Sequence, residues 1–500
     1  MNLRLRKVLI ANRGEIAIRV MRTCRELGIR TVAVYSDADR NMPHVARADE
    51  AYRIGPPPSR ESYLQMETII DVARRAGADA IHPGYGFLSE NARFAEMVAG
   101  AGLLFVGPPA RSIAAMGDKT EARRLVQAAG VPTLPGTSGP VGSEADGMAF
   151  CALHGFPVLI KAAAGGGGKG MRVVRSMEEF ATSFRAAQSE ALSAFGDGRV
   201  FLEKFLENTR HIEFQILADA FGSTVHLGER ECSIQRRHQK VVEESPSVVM
   251  TEELREEMGR TAVMAAKACG YVNAGTIEFL VDEDLHYYFL EMNTRLQVEH
   301  PVTELCTGLD LVALQLHVAQ GNPLPFRQEE IAFRGHAIEC RICAEDVENN
   351  FMPSTGKILH LRPAQGPGIR EDRGVEEGGE IPVFYDSMIS KLVAWAPGRG
   401  EALRKMERAL EEYEITGVKT NIPLCLFVIR HPEFAAGRFS TRFLGENFSP
   451  DRLPGFSEIQ QKAIALACAL AATRTATPAP AGRDGRDWKS ARLLNLRGKP

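Results

Sequence analysis

Two hydrophobic periods alternate along the N-terminal part of the chain. Val8-Leu9-Ile10-Ala11 is a short unbroken apolar run, which reads as a buried strand. Ile16, Val20, Cys24 and Leu27 then fall at i, i+4, i+8 and i+11, one face of a helix, and Gly28 suits the left-handed residue that follows a helix end. The same alternation continues with a strand at 31–35, a helix at 64–76 closed by Gly77, a strand at Ala80-Ile81, a helix at 91–99 and a strand at 103–106. Repeated β-α-β of this kind predicts a parallel, doubly wound α/β sheet.

The pattern then changes. Residues 117–155 read as helical, interrupted by a loop at 131–142. Strand patterns follow at 156–162, 171–175, 200–206 and 210–218, with a helix between the second and third that Ser176-x-x-Glu179 predicts to be capped by a capping box. Further strands are predicted at 223–227, 276–281 and 286–292, so this stretch reads as a mostly antiparallel α+β domain. After Pro323-Leu324-Pro325 come a strand at 335–342, further β-hairpin patterns and a helix at 401–413. An Ala-rich helix at 456–473 precedes the linker-like Thr477-Pro478-Ala479-Pro480-Ala481-Gly482. The expected organisation is therefore a domain over 1–115, a second over 116–333, a β-rich third over 334–447, and a tail over 448–500. No internal repeat is visible.

Composition narrows the function classes. Sixty Lys and Arg against 63 Asp and Glu give a net charge of −3, which argues against a nucleic-acid or membrane-surface protein. Nine scattered cysteines are too few for a disulfide framework, so a reducing cytoplasm fits. The longest clean apolar run, 463–472, is ten residues, well short of the ~20 that a membrane helix needs. The N-terminus offers only residues 8–11 as an apolar stretch, so no signal-peptide core is expected there. The 46 glycines ask for an explanation.

Part of it lies in Ala164-Gly165-Gly166-Gly167-Gly168-Lys169-Gly170. A dinucleotide fingerprint needs a helix after the glycines, but a strand pattern follows here. A Walker A motif needs Ser or Thr after the lysine, and Gly170 stands there. What remains is a glycine-rich hairpin whose backbone N–H groups suit an anionic ligand, with Lys161 at the end of the preceding strand. By itself the run is equally a flexible surface hairpin.

A second candidate is the strand pair 276–281 and 286–292. The simplest register sets Val281 against His286 across the loop 282–285, which places Glu278 and Glu291 diagonally on one face. Carboxylates among Ile, Phe and Leu are costly unless paired or metal-bound, and Asn293 adds an oxygen ligand suited to Mg²⁺. Arg295, Gln297 and Glu299 follow with an alternation that sends them to one side. The charged run 235–240, which carries Lys240, reads on its own as a solvated loop.

These segments together resemble the biotin carboxylase family, the ATP-grasp component of acyl-CoA carboxylases and of pyruvate carboxylase. The resemblance is carried by Ile10-Ala11-Asn12-Arg13-Gly14-Glu15-Ile16-Ala17, by His82-Pro83-Gly84-Tyr85-Gly86-Phe87-Leu88-Ser89-Glu90-Asn91 and by Met116-Gly117-Asp118-Lys119. It continues through the glycine run and Glu229-Arg230-Glu231-Cys232-Ser233-Ile234-Gln235-Arg236-Arg237-His238-Gln239-Lys240. Its most specific stretch is Glu291-Met292-Asn293-Thr294-Arg295-Leu296-Gln297-Val298-Glu299-His300-Pro301-Val302-Thr303-Glu304, and the match spans about 5–447.

The resemblance implies an N-terminal pre-ATP-grasp domain, an ATP-grasp domain with its lid over about 131–204, and a C-terminal biotin carboxylase domain. It implies ATP- and bicarbonate-dependent carboxylation of N1 of carrier-bound biotin through carboxyphosphate. ATP would be held by Lys119, Lys161, Gly166, Gly167, Gly168, Lys169 and Gly170, by the adenine hinge Glu203, Lys204 and Leu206, and by His211, Gln235 and His238. Glu278, Glu291 and Asn293 would bind Mg²⁺ or Mn²⁺. Lys240, Arg295, Gln297 and the backbone of Val298 would seat bicarbonate, with Glu299 as its base. Arg341 would stabilise the biotin enolate, with Tyr85 near biotin.

Where the family commonly reads Arg-Ile-Asn-Ala-Glu, this chain has Arg341-Ile342-Cys343-Ala344-Glu345, which creates Cys340-x-x-Cys343. Residues three apart on a strand point to opposite faces, so metal or redox use of that pair is not expected. No Met-Lys-Met biotinylation site occurs, so the resemblance implies a biotin carboxyl carrier protein that is separate or follows Pro500, a separate carboxyltransferase, and a cytoplasmic homodimer. The competing readings are one component of a two-subunit pyruvate carboxylase, another ATP-grasp ligase such as a carbamoyl-phosphate synthetase-like enzyme, a dinucleotide-binding oxidoreductase and an inactive paralogue.

Overall fold

A computed structural model describes residues 4–137, 139–163 and 171–453, together with Lys462 and Leu466. The chain divides into two compact units, 1–450 and 451–500. The Ala-rich helix and linker predicted in the tail lie outside the described residues, apart from Lys462 and Leu466.

The N-terminal expectation is met. Strands β1 (Lys7–Ile10), β2 (Arg30–Ser36), β3 (Glu50–Gly55), β4 (Ala80–His82) and β5 (Leu104–Phe105) form a parallel sheet in the order β3-β2-β1-β4-β5. Strand β3 was not foreseen, because its mixed residues Glu50-Ala51-Tyr52-Arg53 lack an apolar run. The helix Gly14–Glu26 buries Ile16, Val20 and Cys24, and Gly28 takes φ 70° just past its end. Its buried face joins Val8 and Ile10 to Leu311 and Leu316 in one core, which fastens this sheet to the middle of the chain.

Strands β6 (Val158–Ala162), β7 (Met171–Val174) and β8 (Val200–Lys204) form a small antiparallel sheet in the order β7-β6-β8. The helix Met177–Phe195 covers it, with Phe180 and Phe184 against Ile160 and Leu202. The predicted capping box is not formed. The Ser176 side chain accepts no helix N–H, and Glu179 instead takes the N–H of Arg175, 3.2 Å away.

The large sheet has eight antiparallel strands. They are β9 (Arg210–Ala218), β10 (Thr224–Arg236), β11 (Gln239–Ser245), β12 (Asn273–Val281), β13 (Tyr287–Asn293), β14 (His336–Cys343), β15 (Ile369–Arg373) and β16 (Met388–Ala396). Their order is β13-β12-β9-β10-β11-β14-β16-β15. The sheet therefore runs without a break across the predicted boundary at 333/334. Residues 235–240, read as a loop on charge alone, are instead the hairpin joining β10 to β11. Arg237 and His238 turn it with φ 48° and 65°. No single helix among the described residues is long and apolar enough to cross a membrane.

Candidate active site

One face of the large sheet carries a row of charges. Glu291, Glu278 and Glu213 are successive register partners on β13, β12 and β9, and Glu213 pairs in turn with Arg230 on β10. Residues directly opposite in a sheet share a face, so their side chains meet. The register expected from sequence is corrected here. Val281 pairs with Tyr287, and Leu290 is an extra residue between the pairs Phe279–Phe289 and Glu278–Glu291. This bulge brings the two carboxylates directly opposite each other, not diagonal.

A second bulge sets Lys240. Ile234 pairs with Val242 and Gln235 with Lys240, leaving Val241 unpaired. Residues three apart in a regular strand point opposite ways, and the extra residue lets Lys240 share a face with Glu243. The Lys240 ammonium reaches Glu213 at 2.6 Å, Glu299 at 2.7 Å and Glu278 at 3.0 Å. Burial disfavours its charge, but the three carboxylates outweigh that and hold it protonated well above the usual lysine range.

Glu299 is fully buried and bridges two cations, with Lys240 on one oxygen and Arg341 on the other at 2.9 Å. Burial opposes its ionisation, yet Lys240, Arg341 and Arg230 together keep its carboxyl well below the usual range. Arg341 is clamped from behind by Glu243, whose Oε1 accepts from Nε at 2.5 Å. Burial raises the Glu243 carboxyl to about 7 despite that arginine. Neither oxygen of the neighbouring buried Glu339 has a hydrogen-bond partner among the described residues, and burial raises this carboxyl well above the usual range.

Beyond β13 the chain leaves the sheet, so strict alternation does not apply, but Arg295, Gln297 and Glu299 still converge. Arg295 donates to Glu90, Asn293 and Gln297 at 2.7–2.8 Å, and Gln297 donates to Glu278 at 3.2 Å. The Val298 carbonyl accepts from Lys391 at 2.9 Å. Lys391 also pairs with Glu15 at 3.2 Å, and the Tyr85 hydroxyl bonds the other Glu15 oxygen, which sets Tyr85 beside this end of the row. Cys340 and Cys343 are both buried in β14, next to Arg341.

The nucleotide candidates fall into two groups. His211 lies between Gln235, at 2.8 Å, and the free oxygen of Glu278, at 3.0 Å, so both join the row. Lys119 lies close enough to Glu291 to favour its charge. The second group sits on the small sheet. Lys161 is ion-paired with Glu203, which also receives Arg123 at 3.4 Å, while the Lys204 ammonium binds the Phe156 carbonyl at 2.9 Å. Leu206 follows β8 half-buried, and His238 is exposed in the β10–β11 turn. Gly166, Gly167, Gly168, Lys169 and Gly170 lie outside the described residues. A cavity of about 530 Å³ opens beside Gln235, walled by Arg236, Arg237 and Arg442 and by Phe351 and Phe448.

The oxygen donors suit a hard divalent cation. The surrounding protein, by displacing water, and the facing Glu278 carboxylate both push Glu291 up, although its side chain still reaches solvent, and a divalent cation held by the pair would relieve that repulsion. Glu278 is drawn meanwhile toward Lys240 and His211, which outweigh its burial and hold it below the usual range.

Three family models match the chain in order. They are the biotin carboxylase N-terminal domain over 4–113, the carbamoyl-phosphate synthase L chain ATP-binding domain over 118–327, and the biotin carboxylase C-terminal domain over 339–446. A biotin carboxylase of Nostoc sp. is 53% identical over 440 residues, which cover 88% of this chain and 98% of the relative. The chain belongs to the biotin carboxylase family. Members of this family are ATP-dependent ligases, and this chain is an enzyme of that kind. A pyruvate carboxylase subunit of Methanothermobacter thermautotrophicus is 54% identical over 440 residues, 88% of this chain and 89% of the relative. Among solved structures, the biotin carboxylase domain dimer of Hydrogenobacter thermophilus 2-oxoglutarate carboxylase, in complex with MgADP, ADP and bicarbonate, superposes with TM-score 0.86. It is 48% identical, over 91% of this chain and all of the other.

Several residues of this candidate site were not foreseen in such a role: Glu213, Arg230, Glu243, Glu339, Arg123 and Glu90. Arg230 is fully buried, donating to Glu213, Gln215, Thr276 and Thr303 at 2.5–3.0 Å. Charged residues inside the long strand patterns were the available signal, since a buried ion must be paired.

Proposed function

We propose that the chain carboxylates N1 of biotin on a separate biotin carboxyl carrier protein, using ATP and bicarbonate, and hands the carboxyl group to a separate carboxyltransferase. The observation that carries this reading is Glu299, a buried carboxylate held between Lys240 and Arg341. Bicarbonate bound by Lys240, Arg295, Gln297 and the Val298 backbone would compete with Glu299 for Lys240. That competition frees the carboxylate to accept the bicarbonate proton.

The deprotonated oxygen then attacks the γ-phosphorus and releases ADP, giving carboxyphosphate. Carboxyphosphate breaks into CO₂ and phosphate, and the phosphate takes the N1 proton of biotin. Arg341 stabilises the enolate oxygen left behind, and N1 attacks CO₂. A divalent cation held by Glu278, Glu291 and Asn293 would supply charge neutralisation at the phosphates. Lys119, Lys161, the glycine run 166–170, Glu203, Lys204, Leu206, His211, Gln235 and His238 would hold the nucleotide, with Tyr85 beside biotin.

The relatives' names span biotin carboxylase and pyruvate carboxylase at 53% and 54% identity, which favours the shared biotin half-reaction over any one final acceptor. A role as the biotin carboxylase component of a pyruvate carboxylase is the second reading. We also propose a cytoplasmic homodimer without nucleic-acid or membrane partners. ATP cleavage that requires bicarbonate and is stimulated by free biotin supports the assignment. Stimulation by ammonia in place of biotin overturns it.

A further inference from the structure

We propose that Asn421 is a positioning residue for Arg341, standing in for a missing strand. Strands β11 and β14 pair from Ser245–Ala337 to Val242–Cys340, and the pairing stops there. Beyond that point the two strands part, and a small cleft lined by Lys240, Val241, Arg341, Cys343 and Asn421 opens between them. The separation leaves the edge of β14 without a backbone partner at the residues around Arg341. Buried backbone groups left unpaired are costly, so something must replace the lost ladder.

Asn421 replaces it. Its Nδ2 donates to the Arg341 carbonyl at 2.8 Å and its Oδ1 accepts from the Cys343 N–H at 2.8 Å. Its own N–H donates to the Cys343 carbonyl at 3.1 Å. The residue is 2% exposed. It precedes the helix Ile422–Arg430 at the N-cap, where an Asn side chain ordinarily accepts a helix N–H, yet it makes no such bond. The side chain is committed to β14 instead.

On the other side of β14 the ladder with β16 is regular through Arg341–Lys391 and Ile342–Ser390 and shifts register only at Cys343, so it is the β11-facing edge of this segment that lacks a strand. The Arg341 guanidinium is fixed by Glu243 and Glu299, and its backbone by Asn421. Because all three bonds go to backbone groups, Cys343 in place of the family's usual Asn leaves the clamp intact. A displaced guanidinium loses oxyanion stabilisation steeply with distance, and a misplacement near 1 Å can cost on the order of a hundredfold in rate.

The inference rests on the reading of Arg341 as the residue that meets the biotin enolate, and the test separates the two. Asn421→Asp keeps the acceptor for Cys343 but sets an oxygen against the Arg341 carbonyl; Asn421→Ala removes both side-chain bonds. Each is compared with Arg341→Lys in the full chain, by ATP cleavage with bicarbonate alone and with free biotin added. The expected result is a 10- to 100-fold fall in biotin-dependent kcat for all three. Biotin-free cleavage and KM for ATP should stay within about twofold for the Asn421 variants.

Should Asn421→Ala fail to fold, Asn421→Asp with an unchanged melting temperature carries the test. Loss in Arg341→Lys alone overturns the role of Asn421. Parallel loss of biotin-free and biotin-dependent cleavage in the Asn421 variants also overturns it, since that marks a merely structural residue. Full biotin-dependent turnover in Arg341→Lys overturns the reading of Arg341 and this inference with it.

Discussion

Glu299 spans Lys240 and Arg341, with one oxygen 2.7 Å from the ammonium and the other 2.9 Å from the guanidinium. A single carboxylate thus touches the residue proposed for bicarbonate and the residue proposed for biotin. Replacing it by Gln keeps shape and hydrogen bonding but removes the proton acceptor. Glu299→Gln is expected to lose biotin-dependent ATP turnover by about 10²–10⁴-fold while nucleotide binding is retained. Steady-state kinetics beside a nucleotide-binding titration check this, and undiminished turnover would contradict the role of Glu299.

Lys240 is the shared counter-ion of Glu213, Glu278 and Glu299. Its replacement by Met leaves three buried carboxylates short of positive charge, a loss of about 3–5 kcal/mol. The loss should shrink at low pH, where one of the three takes up a proton. Urea unfolding at pH 7.5 and pH 5.5 measures both effects. An equal loss at the two values would mean that the cluster is not electrostatically coupled.

The facing pair Glu278 and Glu291 predicts stabilisation by a divalent cation without nucleotide. Desolvation by the surrounding sheet and the facing Glu278 raise Glu291, whose side chain still reaches solvent, so its contribution to stability falls as pH rises through its folded-state value, and a bound cation would reverse that fall. Mn²⁺ at about a hundredfold excess over its Kd should add about 2.7 kcal/mol. A thermal shift that persists in full in Glu291→Gln argues against this residue as a ligand.

Glu15 gives a separate pH signature. Burial raises its carboxyl from 4.5 to about 7, against the pull of Lys391. The folded state therefore holds this proton more tightly than the unfolded state. Stability from this group is greatest below about 4.5 and declines as pH rises toward 7 and past it. Glu15→Gln should flatten the decline in melting temperature between pH 5 and 8, leaving the parts due to Glu243 and other raised carboxyls such as Glu291. An unaltered slope would show that Glu15 does not titrate in this range.

The doubly wound sheet was legible because its helices and strands carry different periods, as Ile16, Val20 and Cys24 show against Val8–Ile10. The carboxylates at Glu278 and Glu291 were legible for a different reason: ions among large apolar residues demand a partner. Their register was not, because hairpin arithmetic makes no allowance for the extra residue at Leu290. Lys240 and its run were hidden by the same device, since a bulge at Val241 and a turn at Arg237 and His238 let a string of charges belong to a sheet. Glu213 and Arg230 stayed silent because β9 and β10 are buried on both faces over most of their length, which erases the alternation that would assign a side.

The continuity of the large sheet from β11 through β14 to β15 bears on how this protein can be recombined with its relatives. A chimera joined near residue 333, where the sequence suggests a seam, would graft three strands of one parent onto five of another. Lys240 and Arg341 would then come from different parents across an interface that must splay by the right amount for Asn421 to fill it. A junction after residue 450 spares the sheet entirely. The unit of exchange in this fold is thus the whole plate of eight strands.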